Sequence, residues 1–292
     1  MLSEPLRLIL LLLPLAAACT SNESVRPDPG GAAAVTSGPP RVPVCPSGRG
    51  PKMVAVTLPG ITPFCIDTTE VSQSQYVAFL DAKVDPAKQS RPRCVSMNPR
   101  FEPKVREDPG ILWRDCPEGV WDPANRGAYP VTCVTHCDAI AYCEWAGKRL
   151  CGAIGGGPRP SDEDPAVVKN SEWYLACSQG GKHKYPYGDG FQAAKCDEGG
   201  KTGVPTPNPP ALPRTTEASA CHGVEAPFDQ VFEMVGNAAE WDDHCPVDET
   251  LCTTRGGGAL AVSENGIDCA TSSESGSGAY AGVGIRCCAD YK

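Results

Sequence analysis

The sequence predicts an α+β domain, rich in loops and stapled by disulfides. Three observations carry this reading. Seventeen cysteines are spread along 292 residues, from Cys19 to Cys288. With 31 glycines and 30 prolines, turn formers make up about a fifth of the chain, short of the share of roughly 25–30% that marks disorder. Helix and strand signals between the turns are brief and mixed, with no internal repeat. Apolar residues, at 41%, suffice for a core. Acids exceed bases by 35 to 26, a net charge of −9. A general nucleic-acid binder needs a basic face to neutralise phosphates, so no nucleic-acid partner is expected. The one long apolar run sits near the N-terminus, which gives no pattern of several membrane spans.

Leu8 to Ala18 reads LILLLLPLAAA behind Arg7. This is the length of a signal-peptide apolar region, below the about 20 residues of a spanning helix. The stretch Leu15-Ala16-Ala17-Ala18-Cys19 resembles a bacterial lipobox with its Leu displaced by one place. We expect a signal peptide over 1–18 and lipidation at Cys19, with ordinary cleavage near Ala18 as the alternative. The membrane is then a partner through the lipid anchor. Thr20 after the cysteine is compatible with outer-membrane sorting, so the expected place is the bacterial cell envelope, as an outer-membrane lipoprotein. Cysteine parity agrees. Setting Cys19 aside leaves 16, an even number, which suits paired thiols in an oxidising compartment. A zinc site would need CxxC-type pairs, and the nearest spacings are Cys133/Cys137 and the adjacent Cys287/Cys288.

Residues 19–44 hold the lipidated cysteine and a tract of Ser, Pro, Gly and Ala without periodicity, read as a flexible tether. Residues 45–292 have no second linker and form one expected domain, taken as a monomer. Met53–Val56 and Phe64–Ile66 read as strands around a Pro59-Gly60 turn. Thr69 to Leu80 places Val71, Tyr76, Phe79 and Leu80 on one helix face, with Ser72 as cap. Residues 84–130 look irregular. Asp138 to Ala146 is the strongest helix, with Asp138 as N-cap and Gly147 as its end. Ser171 to Cys177 is a further helix, and the rest is short strands and turns.

These segments carry a resemblance to a known family. Phe64-Cys65-Ile66-Asp67 with Thr69-Glu70-Val71 resembles its opening F-x-I-D-x-x-E-V-T. Tyr129-Pro130-Val131, then Cys143-Glu144-Trp145-Ala146-Gly147-Lys148-Arg149-Leu150, resembles HPV…DAxAYCxWAGKRL. Glu172-Trp173 and Tyr185-Pro186-Tyr187-Gly188-Asp189 resemble EWEYA…YPWGD. Val231 to Trp241 resembles YDMVGNVWEW; Arg255-Gly256-Gly257 and Gly284-Ile285-Arg286-Cys287 resemble RGGS and GFRC. The family is that of formylglycine-generating enzymes, or sulfatase-modifying factors, and the motifs follow its order over nearly all of 53–292. The resemblance implies a C-type-lectin-like fold. Cys151 to Asn170 is inserted relative to the family pattern and reads as a surface loop.

The resembling enzymes oxidise a substrate cysteine with O2, using a C-x4-C pair just after RGGS. Such a thiolate pair holds Cu(I). Here the first family cysteine falls on Ala261 and the second near Gly266, neither of which can ligate a metal. The Ser of RGGS is Gly258, and the Trp of GNxWEW is Ala239. No catalytic residue is therefore assigned and copper is not expected. Cys252 or Cys269 could enter the site only through a local misalignment. The four histidines, His136, His183, His222 and His244, lack metal-ligand spacing and read as surface or satisfied loop residues. GxSxG, P-loop and HExxH patterns are absent. Asp162/Asp164 and Asp242/Asp243 read as solvated loops, and the Ser/Gly-rich stretch around Ser277 as flexible.

The resemblance also implies Ca2+ in the GNxWEW loop, through Glu233, the Gly236 and Ala238 carbonyls, and Glu240; hard oxygen donors suit that ion. A second family Ca2+ site falls near Lys195, a cation, and reads as lost. For disulfides the resemblance implies Cys143–Cys287 and Cys177–Cys269. Closeness in sequence suggests Cys245–Cys252, Cys196–Cys221 and Cys45–Cys65. Cys94, Cys116, Cys133, Cys137, Cys151 and Cys288 cannot be paired by spacing. The expected function is binding or scaffolding at the envelope by a catalytically degenerate domain, with the old substrate cleft as a groove for a peptide, glycan or envelope protein. Alternatives are an active O2-dependent cysteine oxidase and a purely structural surface lipoprotein.

Overall fold

Two four-stranded sheets and a set of short helices form the domain. The structure is a computed structural model, and it describes residues 44–104, 116, 119–163, 169–192, 195–196, 217, 219–245, 251–258 and 266–292. The leader, Cys19, most of the tether and Ala261 lie outside these. Residues 42–292 group as one compact unit.

The first sheet takes β1 (Met53–Val56), β2 (Phe64–Asp67), β3 (Arg149–Leu150) and β8 (Cys287–Asp290), in the order β1-β2-β8-β3 and antiparallel throughout. The second takes β4 (Ala239–Trp241), β5 (Leu251–Arg255), β6 (Ser272–Gly276) and β7 (Val283–Gly284), ordered β6-β5-β4-β7, with β4 and β7 parallel. Strand β6 corrects one expectation. The Ser/Gly-rich stretch is a strand, because β5 offers it five registered partners from Leu251↔Gly276 to Arg255↔Ser272.

Helix α1 (Gln73–Asp81) starts at Ser72, whose side chain and that of Gln75 cap each other's backbone amides. It buries Tyr76 and Phe79 beside Phe101 and Tyr142 in one core. The span expected to be irregular contains α2 (Pro92–Met97), α3 (Pro123–Arg126) and a 3-10 turn at Pro86–Lys88. Each begins with proline, whose fixed φ suits a first turn. Helix α4 runs His136–Trp145 and corrects the expected cap. Thr135 is the N-cap, and Asp138 sits three residues in, where its carboxylate accepts the Thr135 amide at 2.8 Å. Helix α5 (Glu172–Cys177) is capped by Ser171, and Trp173 joins Phe64, Ile66 and Met234 in a second core.

Charged residues of the shared motifs find ion-pair partners inside the fold. Lys148 reaches Asp67 at 2.5 Å, Arg149 grips both oxygens of Glu172, Arg255 meets Asp242 at 2.8 Å, and Arg286 holds Glu240. Asp242 and Asp243 are thus buried and paired, not solvated. The insertion is not merely a surface loop. It carries Arg159 into the interior, 2% exposed and 3.2 Å from Asp242, because that carboxylate offers a buried cation its partner.

Disulfides join Cys45–Cys65, Cys143–Cys287, Cys177–Cys269, Cys196–Cys221 and Cys245–Cys252. The six cysteines left open by spacing pair as Cys94–Cys137, Cys116–Cys133 and Cys151–Cys288. Adjacent Cys287 and Cys288 point to opposite faces of β8, as strand alternation requires. Cys287 enters the core with Cys143, and Cys288 the core with Cys151.

Candidate functional site

The family's reaction centre would lie where β5 ends. Arg255 closes that strand, 1% exposed. Three glycines follow with positive φ: Gly256 at 84°, Gly257 at 76° and Gly258 at 54°. A Cβ on Gly257 would overlap the Gly266 carbonyl, and one on Gly258 would lie 2.6 Å from the Ala239 amide. The glycines therefore let the turn press against both β4 and the segment at 266. Gly266, near which the resemblance places the second family cysteine, packs here as bare backbone.

Above this turn opens a cavity of about 500 Å3, lined in part by Ala239, Thr254, Gly257, Glu274, Tyr280 and Val283. Its walls offer hydroxyls, one carboxylate, an aromatic ring and small apolar groups. That set can hydrogen-bond and stack, but it holds no soft ligand for copper. Cys252 and Cys269, the two cysteines that misalignment could have moved here, are bonded to Cys245 and Cys177.

The two carboxylates among the expected Ca2+ donors have other partners. Glu240 on β4 is fully buried. Nε of Arg286 donates to both of its oxygens at 2.9 Å, and Nε1 of Trp173 donates to one at 2.6 Å. Glu233, with φ 55°, accepts the Ser219 hydroxyl. A guanidinium already neutralises Glu240, and placing Ca2+ beside it would set cation against cation. With Glu240 engaged, Glu233 and two carbonyls remain, where Ca2+ takes six to eight oxygens. The expected set alone therefore falls short of a Ca2+ shell, while Oδ1 of Asn237 and Oε2 of Glu70 are buried beside it without a hydrogen-bond partner. Nearby, burial pushes the Glu70 carboxyl well above the usual carboxylate range; Arg286 opposes this, and the Glu240 and Glu233 charges add to it. Asn237 donates to Glu70 at 2.8 Å.

A second concavity, about 320 Å3, was not legible in the sequence. Arg91, Arg93, His136, Arg159, Cys245 and Ser277 contribute to its lining. Of the two readings of the histidines, surface or satisfied loop, His244 takes the second at 0% exposure, while His136, 4% exposed, lies in helix α4. His244 is held by Thr253 and the Pro160 carbonyl, at 2.8 and 3.1 Å. Burial pushes the His136 imidazole down to about 4; the hydrogen bond to the Asp242 carbonyl opposes that, and Arg91 adds to it. His136 lies two residues ahead of the helix start expected from the sequence, so nothing marked it beforehand. The arginines come from segments with no helix or strand pattern.

A family model for the sulfatase-modifying factor enzyme 1-like domain matches residues 29–291. No curated protein matches the chain. Among solved structures, PvdO from Pseudomonas aeruginosa is similar at 17% identity and a TM-score of 0.45, over 78% of this chain and 80% of that one. CarF is similar at 17% identity and 0.45, over 84% and 98%. Treponema denticola variable protein 1 is similar at 16% identity and 0.42, over 82% and 93%.

Proposed function

Since the chain belongs to the sulfatase-modifying factor enzyme 1-like domain family, we propose that it is a catalytically degenerate member acting as a binding or scaffolding module of the bacterial envelope. Its α+β fold is the family's. The observation that carries the reading is the state of the cysteines. All sixteen from Cys45 to Cys288 are spent in eight disulfides, and the family's reacting positions fall on Ala261 and Gly266. Thiol oxidation through a thiolate-held metal needs free thiolates, and the folded domain offers none.

The ligand groove in this reading is the cavity over the RGG turn. With Ala239 in place of the family tryptophan it is wide, and its hydroxyls with Tyr280 suit a peptide or a glycan. The test uses the disulfide-intact domain. After Cu(I) loading, it should retain no stoichiometric copper and take up no O2 with a thiol peptide; turnover above the metal-only blank would overturn degeneracy. On a glycan array and an immobilised peptide library, the domain should bind a restricted set, and Ala239→Trp, which refills the groove, should abolish that binding. Binding that survives Ala239→Trp would move the ligand elsewhere.

A further inference from the structure

The second concavity gathers chemistry that the cleft lacks. Sγ of Cys245 lies 3.7 Å from both ring nitrogens of His136, and Cys245 is bonded to buried Cys252 of β5. The three possible ligand atoms lie within 4.8 Å of one another. Nε2 of His136 is 3.1 Å from the Asp242 carbonyl. A carbonyl only accepts, so Nε2 carries the proton and Nδ1 keeps its lone pair. Metal-bound histidines are commonly oriented by just such a carbonyl.

The bridge withholds these sulfurs, since the thiolate is the ligand form. Three features mark it as the bridge open to reduction. Cys245 is partly exposed and lines the cavity. The sequence separation of the pair, 7, is the smallest of the eight, so chain closure contributes least to holding it. Arg91, Arg93 and Arg159 line the same space, and positive charge favours thiolate over thiol. Arg91 and Arg159 are also paired with Asp243 and Asp242, at 2.8 and 3.2 Å. These carboxylates moderate the positive field that an entering cation meets.

We propose that Cys245–Cys252 is a reducible bridge, and that reduction converts it, together with His136, into a site for one soft d10 cation, for which Zn2+ is the probe. A dithiol donor supplies two electrons and two protons. The S–S bond breaks, two thiols form, and the donor becomes a disulfide. Zn2+ then displaces the two thiol protons and takes two thiolates and Nδ1, a Cys2His set. The cavity gives an entry path and room for a fourth ligand.

The folded chain is treated with limiting dithiothreitol, and the donor is removed by desalting. One portion is alkylated and peptide-mapped. The other receives Zn2+, is desalted again, and its retained zinc is read with a chromogenic chelator. Cys245 and Cys252 should be the first pair trapped, and one zinc per chain should be retained after reduction and none before it. The double variant Cys245→Ser, Cys252→Ser should lose retention, and His136→Ala should weaken it. A readout independent of variant folding is Co2+ added to the reduced wild-type chain, which should show thiolate-to-cobalt charge transfer and the strong visible bands of tetrahedral Co2+. The proposal is overturned if another bridge opens first, if the reduced chain retains no zinc, if the double variant retains it undiminished, or if Co2+ shows no thiolate bands.

Discussion

Glu240 shows how one partner decides what a residue does. Its sequence context suggested a ligand, but the guanidinium of Arg286 and the indole of Trp173 make it half of a buried ion pair. Removing either charge strands the other, which costs about 3–5 kcal/mol. Urea unfolding should show losses of that size for both Glu240→Ala and Arg286→Ala, while chelation with EDTA should leave the wild-type Tm unchanged. A Tm drop on chelation would restore calcium to the loop. Asp138 gives a pH test. Burial lifts its carboxyl from 3.8 to about 6, against Lys104, Thr135 and Asn98. A raised folded-state value means the native state holds the proton more tightly, so this stabilisation is full below about pH 4 and is lost as pH rises through 6. Asp138→Asn should therefore flatten the stability profile over that window, with an amplitude of up to about 3 kcal/mol. An unchanged profile would mean that the carboxylate is ionised throughout. The burial of His136, His244, Asp242 and Asp243 was not legible, because it depends on Arg91 and Arg159 arriving from segments without periodicity.

At the scale of elements, the sequence was most legible where local physics decides. Strand β1 and the Ser72 cap of α1 are where their residues put them, and α5 starts one residue inside its expected span. It was least legible where a partner decides, as for β6, which is a strand only because β5 lies alongside. The disulfides divide in the same way. Short-range pairs followed from closeness in sequence, and Cys143–Cys287 and Cys177–Cys269 from the resemblance. Cys94–Cys137, Cys116–Cys133 and Cys151–Cys288 needed the fold. Loop closure ranks their contributions. For sequence separations of 144 and 7, the chain-entropy model gives about 5 and about 2 kcal/mol. Denaturant midpoints should therefore fall much further for Cys143→Ala with Cys287→Ala than for Cys245→Ala with Cys252→Ala. Equal losses would mean that strain or packing, and not chain entropy, sets the ranking.

For the whole molecule, the family was legible because its motifs supply the turns and charge pairs that the fold itself needs, as Gly147 at φ 75° and the Asp67–Lys148 pair show. The site was legible only as missing groups, Ala261 and Gly266 for cysteines and Ala239 for tryptophan. What replaces them depends on spatial neighbours. Membrane attachment belongs to this scale too. Cys19→Ala should shift the protein from the membrane fraction to the soluble one, or leave it unprocessed, and globomycin should block maturation. Unchanged partition on fractionation would remove the anchor.

Strand β8 follows the other strands in sequence, yet lies between β2 and β3 in the first sheet. A chain that emerges N-terminus first from a ribosome therefore cannot complete that sheet until residues 287–290 arrive. Until then Cys143 and Cys151, only eight positions apart, wait with reactive thiols for Cys287 and Cys288. A message truncated before residue 287 would yield a product that can pair those two with each other. Its open edge at β2 and two thiols without their native partners would mark it for quality control.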